Sequence, residues 1–205
     1  METIVVKYIS TKDRLLRMAP WFHLNDFVRV QGVEPTQART MLRRMAQGHW
    51  IRPLGGRTGV YFNVAAYPDA EDNHYREAVR SAVPSAIEIG IGPLRDAGWI
   101  TQCPRTLEVA SLHSRGAPRM ERARAVHRPR SWYALMQAHL EPDSEGLPRL
   151  SAPAALADRW VYQDGWAPEE GDLYWEDEDE ILVQELMGDL RKVRKQKPHK
   201  ERKAS

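Results

Sequence analysis

From Thr36 to Gln47 the chain carries Thr36, Gln37, Arg39, Thr40, Arg43, Arg44 and Gln47, and no carboxylate. Guanidinium forks pair with guanine edges and amides with adenine edges, and both also meet phosphate oxygens. A surface helix held together by ordinary ion pairing mixes acids with its bases, and this segment does not. At 3.6 residues per turn the apolar positions Ala38, Met41, Leu42 and Met45 fall on one face. The spacing therefore predicts an amphipathic helix with a core face and a cationic, amide-rich and hydroxyl-rich face, a candidate DNA-recognition helix. Thr36, Gln37, Arg39 and Thr40, toward its N-terminus, are the candidate base-edge contacts, with Arg43 and Arg44 nearer phosphates. The plainer alternative is an arginine-rich soluble surface.

The flanking residues supply elements that would position such a helix. Residues 1–10 are short and β-branched and suit an edge strand or an arm. Thr11–Met18 reads as a short helix with Thr11 as N-cap, ended by Pro20. Asn25 is the expected N-cap of a further helix through Val30, whose buried side is Phe27, Val28 and Val30. Gly32 supplies a left-handed residue to close it, and Pro35 opens the next helix where its missing N–H costs nothing. After Gly48 the period changes to alternation. Residues 49–54 and 60–64 read as two strands joined by the glycine-rich loop Gly55–Gly59. Arg57 at the loop tip would meet minor groove or phosphate, and Arg52 on the ribbon is a further candidate. Helix, helix, turn, helix and ribbon is the order of a winged helix-turn-helix.

The net charge of +2 averages over segregation. Residues 1–66 are net +6, residues 67–190 are net −11 and residues 191–205 are net +7. Basic ends around an acidic middle are the usual footprint of a polyanion partner. A single cysteine, Cys103, excludes a disulfide framework and fits a reducing cytoplasm. Ile4-Val5-Val6 is too short an apolar run before Lys7 to lead us to expect a signal peptide, and no apolar run of membrane-spanning length is present. These features lead us to expect a cytoplasmic protein with no membrane partner.

The run VEPTQARTMLRRMAQGHWIRPLGGRTGVYFN (33–63) resembles the N-terminal winged helix of the AbiEi-like antitoxins of type IV (abortive-infection) toxin–antitoxin systems. Further matches are YREAVRSAVPSAIEIGI (75–91), similar to the family's helix after the wing, and QCPRTLEVAS (102–111), similar to the strand opening its C-terminal domain. GLPRLSAPAALADRW (146–160) is similar to one of that domain's helices. The resemblance spans residues 11–165 and rests on the order of elements. The acidic stretch and the basic tail depart from the family pattern. What the resemblance implies is a repressor that binds an operator with inverted repeats, regulates its own toxin–antitoxin operon and counters a nucleotidyltransferase-type toxin without catalysis.

The rest of the chain reads as α/β. Helices are expected at Asn73–Val83, after Ser85 as N-cap with Gly98 ending the stretch, and after Ser151. A strand is expected at Thr106–Leu112. His113–Arg130 reads as a loop or exposed hairpin bearing the arginines Arg115, Arg119, Arg122, Arg124, Arg128 and Arg130, which extend a nucleic-acid footprint or are plain surface charge. Glu169–Glu180 holds eight carboxylates in twelve residues and is a protein-binding run, a DNA mimic or a solvated loop. Ile181, Leu182, Leu186, Leu190 and Val193 mark one helix face, with acids at its start and Arg191, Lys192, Arg194 and Lys195 at its end matching the helix dipole. Residues 191–205 form a basic tail, read as disordered over 196–205.

Enzyme chemistry finds no motif. Cys103 has no sequence-local His partner and reads as a buried or inert thiol, and the seven histidines show no metal-binding spacing. No cofactor, metal or catalytic residue is expected. The fold class expected is α+β, with a winged helix-turn-helix at 8–66, a mixed α/β domain at 67–190 and a tail at 191–205. The function expected is sequence-specific binding of double-stranded DNA as a transcriptional repressor. The alternative is a mobile-element accessory protein acting through protein or RNA contacts.

Overall fold

A computed structural model describes residues 10–112, 118–141 and 146–195. The chain is mixed α and β, with eight α-helices among the described residues. It divides into two compact units, the first running through Ala82 and including Pro118–Glu121, the second taking the remainder. The division falls after Ala82 and not at the expected 66.

In the first unit, Ser10 caps α1 (Thr11–Leu15), its hydroxyl accepting from the Asp13 N–H at 3.1 Å, so the cap lies one residue before Thr11. Trp21–His23 forms a strand, β1, that the alternation rule had no length to detect. His23, and not Asn25, is the N-cap of α2 (Leu24–Gln31), and its N–H donates to the Asp26 carboxylate at 3.0 Å. Gly32 closes α2 at φ 62°. Glu34 precedes α3 (Pro35–Gln47), with Pro35 in the first turn as expected.

Ala38, Leu42 and Met45 of α3 are buried and Met41 partly so, packing with Leu15, Met18, Phe22, Phe27 and Ile51. Each fully buried Leu or Phe here contributes about 1.5–3 kcal/mol relative to exposure. The buried amide of Asn63 ties this core to the end of α1, its Nδ2 donating to the Leu15 carbonyl at 2.9 Å.

Arg52–Pro53 (β2) and Val60–Phe62 (β4) are antiparallel partners, and β4 also pairs with β1, giving the strand order β1-β4-β2. Gly55–Gly56 (β3) leaves this sheet and pairs antiparallel with Arg119–Met120 from much later in the chain. Helix α4 (Ala70–Ala82), kinked at His74, completes the unit. The Tyr75 ring stacks on Phe62 with centroids 6.1 Å apart, and Trp21 Nε1 donates to Glu77 at 2.9 Å. Those contacts, invisible to local periodicity, are why the helix belongs here.

The second unit holds a five-stranded mixed sheet. Its strands are β5 (Ile87–Ile89), β6 (Leu107–Ser111), β8 (Ala123–His127), β9 (Leu140–Glu141) and β10 (Arg149–Leu150); β7 is Arg119–Met120 of the first unit. The order is β8-β6-β5-β10-β9, with β6 and β8 parallel and β5 and β6 antiparallel. Its helices are α5 (Ile91–Asp96), α6 (Arg130–Met136), α7 (Ala152–Tyr162) and α8 (Asp177–Lys195). Leu94, Trp132, Leu156, Val183 and Leu190 are among the side chains closing the core.

Four expectations are corrected here. A strand and not a helix follows Ser85, whose hydroxyl accepts from the Leu112 N–H at 3.1 Å. The described part of 113–130 is largely strand, with β8 against β6; Ala123, Ala125 and Val126 are too few and too irregularly spaced among Arg122, Arg124 and Arg128 to show a strand period. On α8 the expected face holds at Leu186 and Leu190, which are buried, and at Leu182 and Val193, which pack against the core, but Val183 and Met187 join it and Ile181 is exposed. Residues 191–195 belong to α8, as their match to the helix dipole led us to expect, so the tail bound of 191 moves to 196. Residues 1–9 and 196–205, and with them the expected arm and the rest of the tail, lie outside the described residues.

Candidate nucleic-acid interface

Burial of Ala38, Leu42 and Met45 fixes the rotation of α3 and so decides which side chains it leaves in solvent. Thr36, Gln37, Arg39, Thr40, Arg43 and Arg44 are all exposed, as are Arg52 and Arg57. Among the described residues no carboxylate pairs with Arg39, Arg43, Arg44 or Arg57, whereas Arg29 is held by Asp26 at 3.1 Å. Uncompensated arginines keep their full positive field for an incoming anion.

The structure brings three of these arginines together. Arg39 and Arg43, one turn apart, and Arg57 line an open groove between α3 and the Gly55–Gly59 loop, floored by Leu42, Val60 and Tyr61. No Asp or Glu lines it. Burial pushes the Tyr61 phenol above its usual range against the opposing pull of Arg39, so it remains a neutral hydroxyl on the groove floor. Arg57 sits at φ 66°, a left-handed conformation that non-glycine residues adopt at a cost, and Gly59 follows at φ 68°.

The other site candidates sit elsewhere. Thr36, Gln37, Thr40 and Arg44 lie on the exposed helix surface outside that groove. The Thr40 hydroxyl donates to the Thr36 carbonyl at 3.2 Å, which leaves its oxygen an acceptor and its methyl free for apolar contact. Arg52 is engaged by Glu71, whose side chain is 10% exposed, and so is placed to brace β2 against α4.

The arginine run separates on folding. Arg115 lies outside the described residues. Arg119 belongs to the first unit, paired through its backbone with the loop strand β3. Arg124 faces Glu108 at 3.5 Å, and Arg128 is not on the surface at all. The Arg128 guanidinium is held by Asp158 at 2.6 Å and Asp164 at 2.7 Å, and stacks on the Tyr162 ring at 3.9 Å. Burial alone would lower its pKa, but hydrogen bonds and charge from the two aspartates more than offset this and raise it. Arg159, also buried, meets Asp164 at 3.0 Å and contacts Glu108. Sequence spacing carried no sign of this cluster, although Gly90 and Gly165 mark it. A Cβ at either would run into the Arg159 guanidinium.

Cys103, expected to be buried or inert, is exposed. Among the described residues no group of three or more His, Cys, Asp and Glu is placed to hold a metal, and no helix is long and apolar enough to cross a membrane. No family model matches the chain, and no curated protein matches it.

Proposed function

We propose that the first unit is a winged helix-turn-helix that binds double-stranded DNA, with α3 as recognition helix and the Gly55–Gly59 loop as wing. The observation that carries this reading is the carboxylate-free groove lined by Arg39, Arg43 and Arg57. A major groove about 12 Å wide accepts one α-helix, and a protein presenting unpaired arginines on both sides of a cleft suits the phosphate strand beside it. In this reading the chain is a sequence-specific transcriptional repressor acting on an operator with inverted repeats. Its resemblance to AbiEi-like antitoxins supports a role in repressing its own operon and in countering a nucleotidyltransferase-type toxin.

The test is a gel shift on the DNA upstream of its own gene over a range of salt, with Arg39→Ala and Arg43→Ala variants. Weaker binding by both variants, with preference for that DNA over random duplex, is the expected result. Unaltered binding by both, or no preference, sinks the recognition-helix assignment. For the antitoxin role, a nucleotidyltransferase-like reading frame next to this gene is expected, and its absence counts against the role. The second reading, a mobile-element accessory protein working through protein contacts, draws on Tyr174 (73% exposed) and Trp166 (50%) beside the acidic run. A chain that binds no duplex but captures a basic partner protein would favour it.

A further inference from the structure

Arg119 is separated from the recognition helix by most of the sequence between Gln47 and Pro118, yet the fold returns it to the first unit. The device is strand addition. Gly55 lies opposite Met120 and Gly56 opposite Arg119 in an antiparallel pair. Gly55 has no room for a side chain, since an added Cβ would collide with the Arg119 carbonyl and lie 2.7 Å from the Met120 Cα. At Gly56 an added Cβ would meet nothing within 4 Å. Directly opposed residues of an antiparallel pair project from the same face of the ribbon. Arg119 therefore shares a face of the ribbon with Gly56, the residue that precedes Arg57. Its side chain is exposed, and among the described residues no carboxylate pairs with it. Two other arginines of the run are held within the second unit, Arg124 by Glu108 and Arg128 by Asp158 and Asp164.

We infer that Arg119 is a phosphate-contacting residue of the DNA site, delivered to the edge of the loop by β7; the inference rests on the DNA-binding reading above. The strand has a second effect. It pairs with β3 at the start of the Arg57 loop, which Thr58 also closes by donating its hydroxyl to the Gly55 carbonyl at 3.0 Å. The occupant is the sugar–phosphate backbone of a duplex, because an exposed, uncompensated guanidinium on the strand paired with the Arg57 loop recognises phosphate without reading a base.

The experiment measures binding of the full chain to the duplex upstream of its gene as a function of salt. Each lost phosphate contact flattens the plot of log K against log salt by about 0.9. Arg119→Ala is expected to flatten it by about that amount, to weaken binding several-fold at low salt and to leave the ranking of duplex sequences unchanged. Arg119→Lys is expected to keep the slope, and Arg124→Ala, which removes a paired arginine of the second unit, to behave as wild type. The inference is overturned if Arg57→Ala flattens the slope and Arg119→Ala does not, or if Arg124→Ala weakens binding as much as Arg119→Ala. A wild-type chain that binds no duplex at any salt would instead remove the DNA reading itself, and with it this extension.

Discussion

Arg128 and Asp158 face each other as a two-pronged ion pair inside the second unit, Nε to Oδ1 at 2.9 Å and Nη2 to Oδ2 at 2.6 Å. Both are about 1% exposed, and Trp132 Nε1 donates to the same Asp158 Oδ1 at 2.7 Å. A buried pair of this kind is costly to break from one side, since the remaining charge has no water to turn to. Arg128→Met is expected to destabilise the fold by about 3–5 kcal/mol, read as a lower urea midpoint. Arg128→Met with Asp158→Leu is expected to lose less than the sum of the two single variants. Additive losses would mean that the two side chains are not coupled.

Arg57 offers a trade between stability and binding. Its left-handed backbone costs an L-residue roughly 1–2 kcal/mol, a cost glycine avoids. Arg57→Gly is therefore expected to be more stable than Arg57→Ala, by about 1 kcal/mol in chemical denaturation. Both variants lack the guanidinium and should bind duplex equally weakly. A difference in duplex affinity that follows stability would show that the loop's shape and not its charge matters.

Arg52 should separate from the groove arginines in the same measurements. It is half-exposed and held by Glu71 of α4, so Arg52→Ala is expected to lower stability by up to about 1 kcal/mol. Arg39→Ala, which breaks no ion pair, should leave the denaturation midpoint in place and weaken duplex binding more. The reverse ranking in binding would return Arg52 to the proposed DNA site.

Glu77 gives the first unit a dependence on pH. The hydrogen bond from Trp21 holds its carboxyl below the usual carboxylate range, with burial opposing and His74, 3.1 Å away, adding to the effect. A carboxylate whose folded pKa is depressed contributes stability above its unfolded pKa, near 4.3, and loses it as pH falls through the folded value. Melting temperatures of wild type and Glu77→Gln should thus converge as pH is lowered below about 4. A gap that stays constant down to acid pH would mean that the effect of Glu77 is packing and not charge.

Much of the first unit was legible because its signals are local. Gly32 at a helix C-terminus, Pro35 in a first turn and the spacing of Ala38, Leu42 and Met45 each depend on neighbours within a turn or two. The same rules placed Leu107–Ser111 as a strand and the helix after Ser151. They failed at Trp21–His23, too short for a period to show, and at Ser85, where a serine before an apolar run reads as a cap although its hydroxyl serves Leu112. At α8 they found Leu182, Leu186, Leu190 and Val193 but missed at the start of the helix, where contact with the rest of the core chooses Val183 over Ile181.

The site divides in the same way. That α3 would be helical, with a cationic face free of acid, followed from residue types and a period of 3.6, because backbone geometry alone sets which side chains share a face. Which arginines stay available could not follow from composition, since Arg39, Arg52, Arg119 and Arg128 look alike as letters. Arg52 is claimed by Glu71, Arg128 is drawn inside by an aspartate thirty residues away, and Arg119 is carried back to the first unit by a strand pairing. Charge pairing and strand pairing act between distant residues. Their outcome therefore depends on the packed chain, and it was the packed chain that left Arg39, Arg43 and Arg57 around one groove.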